Sequence, residues 1–442
     1  MAPIQHPRIC IVGAGLGGSL MACYLGRAGH TAEIFEARPD PRPRGFTGGR
    51  SINLALSTRG VRALREVGLA KRILADSVPM RGRMIHSLNG RLTFQPYGTA
   101  AEHVIHSVSR AGLNLTLLEA ASGYPNISLS FGWRCVGVDP SSPAVHLRRA
   151  TTGHQRTVEG DLIIGADGAF SAVRGQMQRL DRFDYSQDYL THGYKELTIP
   201  PGPDGSFLME REALHIWPRG GFMLIALPNA DGSYTCTLFL PFVGANSFAE
   251  IDAGEGVKRF FERHFPDVLP LVPTLEEDYR RNPVGSLVTV RCAPWTCGGK
   301  VVLLGDAAHA VVPFYGQGMN ASFEDCSVLS EALERCAPDW AAAVEEYYEQ
   351  RKPNTDALAE LALGNFVEMR DRVASSRFLL AKRLGRALHT LLPNRFVPLY
   401  TMVTFTSMPY AEAVRRARRQ VRTVAAAVVL AAVVTVAAAL AL

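Results

Sequence analysis

The chain has 442 residues, 47% hydrophobic and 20% charged, with a formal net charge of +6. That composition is ordinary for a globular protein with a sizeable core, in one large domain or two intimate ones. Much of the positive excess sits in one place, with Arg415, Arg416, Arg418, Arg419 and Arg422 inside eight residues, so charge does not indicate a general nucleic-acid surface. The eight cysteines contain no C-x-x-C pair and read as reduced, structural thiols, which excludes a zinc site from the expectations.

No signal peptide is expected, because the chain reaches a strand by about Arg8. Residues 8–36, RICIVGAGLGGSLMACYLGRAGHTAEIFE, read as strand, glycine turn, helix, strand and acid. Gly13 makes the tight turn, Gly15 lets the backbone approach a diphosphate, and Gly18 lets the helix pack on the strand. Glu36 is placed to accept from ribose hydroxyls. FAD and NAD sites share this pattern. Arg38 is read equally as a phosphate contact or a solvated cation.

Residues 50–70 start extended, around Ala55, and become a helix with Ser57 as N-cap and Gly68 as stop. Residues 80–97 form a hairpin around Asn89-Gly90. A two-residue turn sets Pro96 opposite Arg83, and a three-residue turn sets Tyr97 there. Arg83 and Tyr97 are close either way. An arginine fork beside a phenol suits a carboxylate, and an exposed cross-strand pair would look the same. Arg110 stands at a helix entrance, where a cation can meet an anionic cofactor group. In DLIIGADGAFSAVR a strand runs into a glycine turn holding Asp167, with Arg174 beyond it.

Residues 185–245 are aromatic and β-branched and predict an antiparallel sheet of about four strands. Phe239 is a candidate for a pocket wall there. In KVVLLGDAAHAVVPFYGQGMNASFEDC, residues 300–326, a buried strand ends at Gly305 and Asp306. Asp306 then lies at the strand's carboxyl end, where open α/β sheets bind ligands. The helix that follows Gly318 presents free N–H groups and a partial positive charge. An acid for a sugar-like chain and a helix start for an anionic ring edge suit a flavin. Later, NFVEMR puts Asn365, Glu368 and Met369 on one helical face, and Tyr400 follows a proline-bounded loop. Residues 424–442 carry one polar side chain, Thr435, after the arginine cluster, and read as a candidate membrane anchor or a packed helix.

The expected architecture is α/β, a Rossmann-like FAD-binding domain with an inserted antiparallel substrate sheet and a C-terminal helical region. Its parts are 1–180 and 286–340 for the FAD-binding domain, 181–285 for the substrate domain, 341–423 for the helical region and 424–442 for the hydrophobic segment.

GAGLGGS, GADG and GDAAHA together resemble the single-component FAD-dependent aromatic hydroxylases, the para-hydroxybenzoate hydroxylase-like group. RSINLALSTRG, MRGRMIHSLNG, SVSRAGLN, HGYKELTIPP, LHIWPRGGFMLIALPN, PFYGQGMNASFEDC, NFVEMR and LYTMVTF resemble, within that group, the kynurenine 3-monooxygenase family. The resemblance implies bound FAD, NADPH and O₂ as co-substrates, and hydroxylation of L-kynurenine to 3-hydroxy-L-kynurenine through a flavin hydroperoxide. It implies substrate contacts at Arg83, Tyr97, Asn365, Tyr400, Glu368 and Met369. It implies flavin contacts at Gly17, Glu36, Ala55, Arg110, Val136, Asp306, Met319 and Asn320. Tyr315 departs from the Phe or His of similar proteins, in the loop that would meet the reactive flavin face. A metal is not expected. The C-terminal segment resembles that of membrane-bound eukaryotic members at the mitochondrial outer membrane; a bacterial chain would instead be cytoplasmic.

Overall fold

The structure, a computed structural model, describes residues 8–43, 53–98, 102–368 and 395–440, with 389 and 392 between them. Its centre is a six-stranded sheet in the order Thr296–Cys297, Val301–Leu303, Leu162–Gly165, Arg8–Val12, Thr31–Glu36, Ile127–Phe131. All neighbours are parallel except the first pair. The apolar runs ICIV, LIIG and VVL are buried because both faces of the parallel sheet are covered, its core being shared with the helix Leu16–Arg27 and with a three-stranded antiparallel sheet of Trp133–Asp139, Ala144–Arg149 and Gln155–Glu159.

Register sets the site. Val12 pairs with Gly165 and Gly165 with Leu303, so three strands end at one level. Their three glycine turns therefore meet at the sheet's carboxyl edge. Gly13 adopts φ +101°, and its N–H bonds Phe35 O at 2.8 Å. A Cβ there would stand 2.5 Å from Ala166 O, and one on Gly18 would overlap the Gly13 carbonyl. The helices Leu16–Arg27 and Gly318–Cys336 come close at Gly17, where a Cβ would stand 2.6 Å from Ser322 Oγ.

The second sheet has seven strands, in the order Gly285–Ala293, Asp184–Ile199, Tyr234–Pro241, Met223–Pro228, Ala213–Pro218, Gly82–His86, Leu92–Pro96. About four were expected. The extra strands come from outside the 185–245 stretch: the hairpin near residue 90 adds its first strand parallel to Ala213–Pro218, a pairing between distant segments. The hairpin's register also differs from both expectations, since Arg83 pairs with Gln95. Ser87 N–H bonds Arg91 O at 3.1 Å and the Asn89 side chain accepts from Arg91 N–H, which closes the turn around Leu88, Asn89 and Gly90 and centres it on Asn89. Alternation along this sheet sends Leu224 and Leu238 into a core with the helices Val257–His264 and Leu275–Arg281. Met223 and Phe239 face the other way, toward Phe314, Phe366 and Met402.

A buried polar cluster lies behind the second sheet. His86 Nε2 is 2.8 Å from His215 Nδ1, and His215 Nε2 is 2.8 Å from Glu210 O. His86 Nδ1 and Trp217 Nε1 both meet Asp267 Oδ2. Burial pushes the His215 pKa down to about 4. The unfolded imidazole titrates near 6.5, so between these values the unfolded chain binds a proton that the folded one does not. Stability should be full above pH 6.5 and fall by about 3 kcal/mol as pH drops to 4. Urea midpoints at a series of pH values test this, with His215→Gln flattening the slope.

The C-terminal helices are Trp340–Val367, Leu399–Phe405 and Tyr410–Leu440. Among the described residues no helix is long and apolar enough to cross a membrane.

Candidate active site

A cavity of about 400 Å³ opens where the carboxyl edge of the parallel sheet faces the second sheet. One end is walled by Gly15, Gly17, Leu304, Asp306, Gly318 and Met319. The other is walled by Arg83, Tyr97, Tyr315, Tyr400 and Phe239.

At the first end, a Cβ built on Gly15 meets no atom of the described residues within 4 Å, so the turn is an open cradle. Ala14 N–H donates to Glu36 Oε2 at 2.9 Å. Arg38 N and Nε reach Glu36 Oε1 at 2.9 and 2.8 Å. Burial alone would raise the Glu36 pKa, but these bonds hold it below the usual carboxylate range. Arg38 is thus engaged on Glu36.

Asp167 accepts from Ser171 Oγ at 2.5 Å and Ala172 N–H at 2.7 Å. Its carboxylate caps the helix Ala172–Met177, and the neighbouring Gly168 and Ala169 line the cavity. Burial raises its pKa. Arg174 ties two turns together, donating to Ala169 O at 2.6 Å and Ala307 O at 2.7 Å.

Asp306 is exposed and opens the short helix Asp306–His309. Asn320 is fully buried rather than in the wall. Its Nδ2 donates to Ala55 O at 2.8 Å and its Oδ1 accepts from Ser57 N–H at 2.9 Å. Asn320 therefore holds the strand Asn53–Leu56, and Ala55 with it, beside the start of the helix Gly318–Cys336. Arg110 lines the cavity from the first turn of the helix Arg110–Ser122. Val136 is half exposed on the strand Trp133–Asp139, outside the cavity wall.

These groups fit FAD in sequence: an atom-free cradle for the diphosphate, Asp306 for the ribityl hydroxyls, and a helix start for the ring edge that gains negative charge.

At the other end, Arg83 Nε is buried and has no hydrogen-bond partner among the described residues. The guanidinium carbon lies 4.9 Å from the Tyr400 ring centroid and 5.8 Å from that of Tyr97. Burial alone would lower the Arg83 pKa, but Tyr400, Tyr97 and Glu368 raise it, so the group stays cationic. Tyr400 stacks on Tyr97 at 5.7 Å and lies 5.6 Å from Tyr315. Burial raises the phenol pKa values of Tyr97 and Tyr315, keeping both neutral. Phe239 stands 5.0 Å from Phe314.

Asn365 is placed behind this wall, where its Nδ2 donates to Phe314 O at 2.6 Å. Glu368 caps the helix Trp340–Val367 within electrostatic reach of Arg83. Met369 lies outside the described residues. Sequence reading missed Leu214, Ile225 and Thr237, which line the cavity from the second sheet. Alternation could have found them only with the sheet's pairing known.

Residues 7–197 and 273–362 match the family model described as the FAD binding domain. The fold also resembles 2-methyl-3-hydroxypyridine-5-carboxylic acid oxygenase, with TM-score 0.68 and 21% identity over 86% of this chain and 96% of that one. It resembles Pseudomonas aeruginosa PqsL in complex with 2-aminobenzoylacetate, with TM-score 0.66 and 22% identity over 85% of this chain and 100% of that one. Fold and site define an FAD-dependent monooxygenase. Kynurenine 3-monooxygenases are similar through most of their length. Those of Salinispora arenicola, Myxococcus xanthus and Sus scrofa are 50%, 48% and 44% identical, over 95%, 93% and 93% of this chain and 92%, 88% and 87% of theirs. The chain belongs to the kynurenine 3-monooxygenase family.

Proposed function

We propose that the protein converts L-kynurenine, NADPH, a proton and O₂ to 3-hydroxy-L-kynurenine, NADP⁺ and water. The observation that carries the substrate is the buried, unpartnered Nε of Arg83 inside an aromatic cavity. A buried donor of this kind is costly unless a ligand completes it, and a carboxylate does so through the planar fork. The aromatic walls of Tyr97, Tyr315, Tyr400 and Phe239 suit an aryl ring.

Bound FAD supplies the oxygen chemistry, which no side chain can. The chain's share is placement. Arg83 and Tyr97 hold the carboxylate end and so aim the ring. The ring's own amino group directs substitution to the adjacent carbon. The start of the helix Gly318–Cys336 stabilises negative charge on the cofactor, and the apolar wall keeps water out. NADPH oxidation by the FAD-loaded protein, with and without L-kynurenine, tests the reading. Stimulation is expected, and oxidation indifferent to L-kynurenine would indicate a plain flavin reductase.

The C-terminal segment supports a finer reading. The five arginines between 415 and 422, followed by the apolar residues from 424, suit contact with an anionic membrane surface. Co-sedimentation with vesicles rich in phosphatidylserine, lost at high salt, is the expected result; no binding at low salt would count against it.

A further inference from the structure

A buried chain of charges lies beside the cavity, and the hydroxylation reading does not use it. Arg59, in the helix Thr58–Glu66 just after the strand that carries Ala55, is 2% exposed. One end of its fork meets Glu324 Oε1 at 2.6 Å. Its Nε donates to Val403 O at 3.2 Å, and the other end donates to Met408 O. The guanidinium carbon sits 4.0 Å from the centroid of the Tyr410 ring. The Tyr410 hydroxyl donates to Gln317 Oε1 at 3.0 Å, immediately before the helix Gly318–Cys336. The second oxygen of Glu324 binds Arg351 at 2.5 Å, and Arg351 Nε binds Asp325 Oδ1 at 2.7 Å. Asp325 Oδ2 accepts from Gly305 N–H at 3.1 Å and lies 2.6 Å from His309 Nε2. The chain thus runs from the turn beside Asp306 to the last helices.

Arg59 does not line the cavity, yet the two carbonyls it holds bracket the end of the segment that presents Tyr400 to Arg83. Val403 O is among the last carbonyls of the helix Leu399–Phe405, which lack partners within so short a helix. The planar fork reaches these two carbonyls and a carboxylate from three separate nitrogens, whereas the donors of an ammonium radiate from one nitrogen and do not span the same acceptors. We propose that Arg59 is a positioning residue for the substrate end, fastening residues 399–410 onto the FAD-binding part so that Tyr400 closes the cavity around the bound ring.

The proposal rests on the kynurenine reading, and its test separates the two. Arg59→Lys keeps a cation beside Glu324 but gives up at least one carbonyl. The KM for L-kynurenine should rise about tenfold, as expected for about 1.4 kcal/mol. Maximal NADPH oxidation and flavin content should stay near wild type, while a larger share of the NADPH consumed ends as hydrogen peroxide. Hydrogen exchange should quicken at amides 399–410 and stay unchanged in the strand Arg8–Val12. Unchanged KM, peroxide share and exchange would overturn the proposal. If L-kynurenine fails to stimulate the wild type, the functional reading fails; faster exchange at 399–410 in R59K still supports the fastening, and unchanged exchange overturns it. Should R59K also exchange faster in the core strand, the wild type decides. L-kynurenine at ten times its Kd should slow exchange at 399–410 about tenfold, and no slowing overturns the proposal.

Discussion

Arg83→Ala is expected to raise the KM for L-kynurenine about 100-fold or more while the protein stays yellow. Removing one partner of a buried charge pair costs about 2–5 kcal/mol, and every 1.4 kcal/mol is tenfold. Arg83 meets that condition because its Nε is shut away from water and no acceptor among the described residues serves it. The flavin should remain because Arg83 stands at the far end of the cavity from Gly15, Asp306 and Gly318. Arg83→Lys should recover only part of the loss, since a point charge cannot match a carboxylate with two parallel bonds. Steady-state kinetics with the 450 nm absorbance of the purified protein separate the outcomes. A KM within twofold of wild type would remove Arg83 from the carboxylate site.

Gly15→Val should give a folded, colourless protein. A Cβ at Gly15 meets no atom of the described residues within 4 Å, so the side chain can be housed without disturbing the fold. It would project into the space that the helix Leu16–Arg27 and the turns of Ala166 and Asp306 leave for the diphosphate. The expected loss in FAD affinity is about 100-fold or more, since backbone approach to the diphosphate needs a missing side chain there. Gly18→Val makes the contrast. Its Cβ would overlap the Gly13 carbonyl, so the turn itself fails and soluble protein should be lost. Far-UV circular dichroism with flavin content distinguishes the two. A yellow Gly15→Val protein would contradict the assigned cradle.

Much of the cofactor end could be read from the sequence, because each piece is local. Strand and glycine turn follow one another within a few residues at Gly13–Gly18, and strand, glycine and acid do so at Gly305–Asp306, and the register of three parallel strands then brings those turns together. The limits of local reading show at Asp167 and Asn320. Both lie in motifs that point to a ligand, yet Asp167 caps a helix and Asn320 pins the strand of Ala55. A motif places a residue near the site without saying which atoms already claim it. The hairpin register failed for a related reason, since Asn-Gly marks a turn but the bonds between Ser87, Asn89 and Arg91 set its width.

At the proposed substrate end the hairpin alone suggested that Arg83 and Tyr97 are neighbours, and Tyr315 and Tyr400 joined them only through the family resemblance. Arg83, Tyr315 and Tyr400 lie far apart in the sequence, and nothing in composition or spacing joins them. The same holds for Arg59 and Glu324, whose ion pair spans 265 positions. Buried charges look like surface charges in a sequence, and only packing tells them apart.

Turnover of L-kynurenine and NADPH under ¹⁸O₂, with the product resolved by chromatography and mass spectrometry, tests the central claim most directly. The expected product is 3-hydroxy-L-kynurenine carrying one ¹⁸O atom on the ring. Unchanged L-kynurenine with labelled hydrogen peroxide as the sole oxygen product would contradict it.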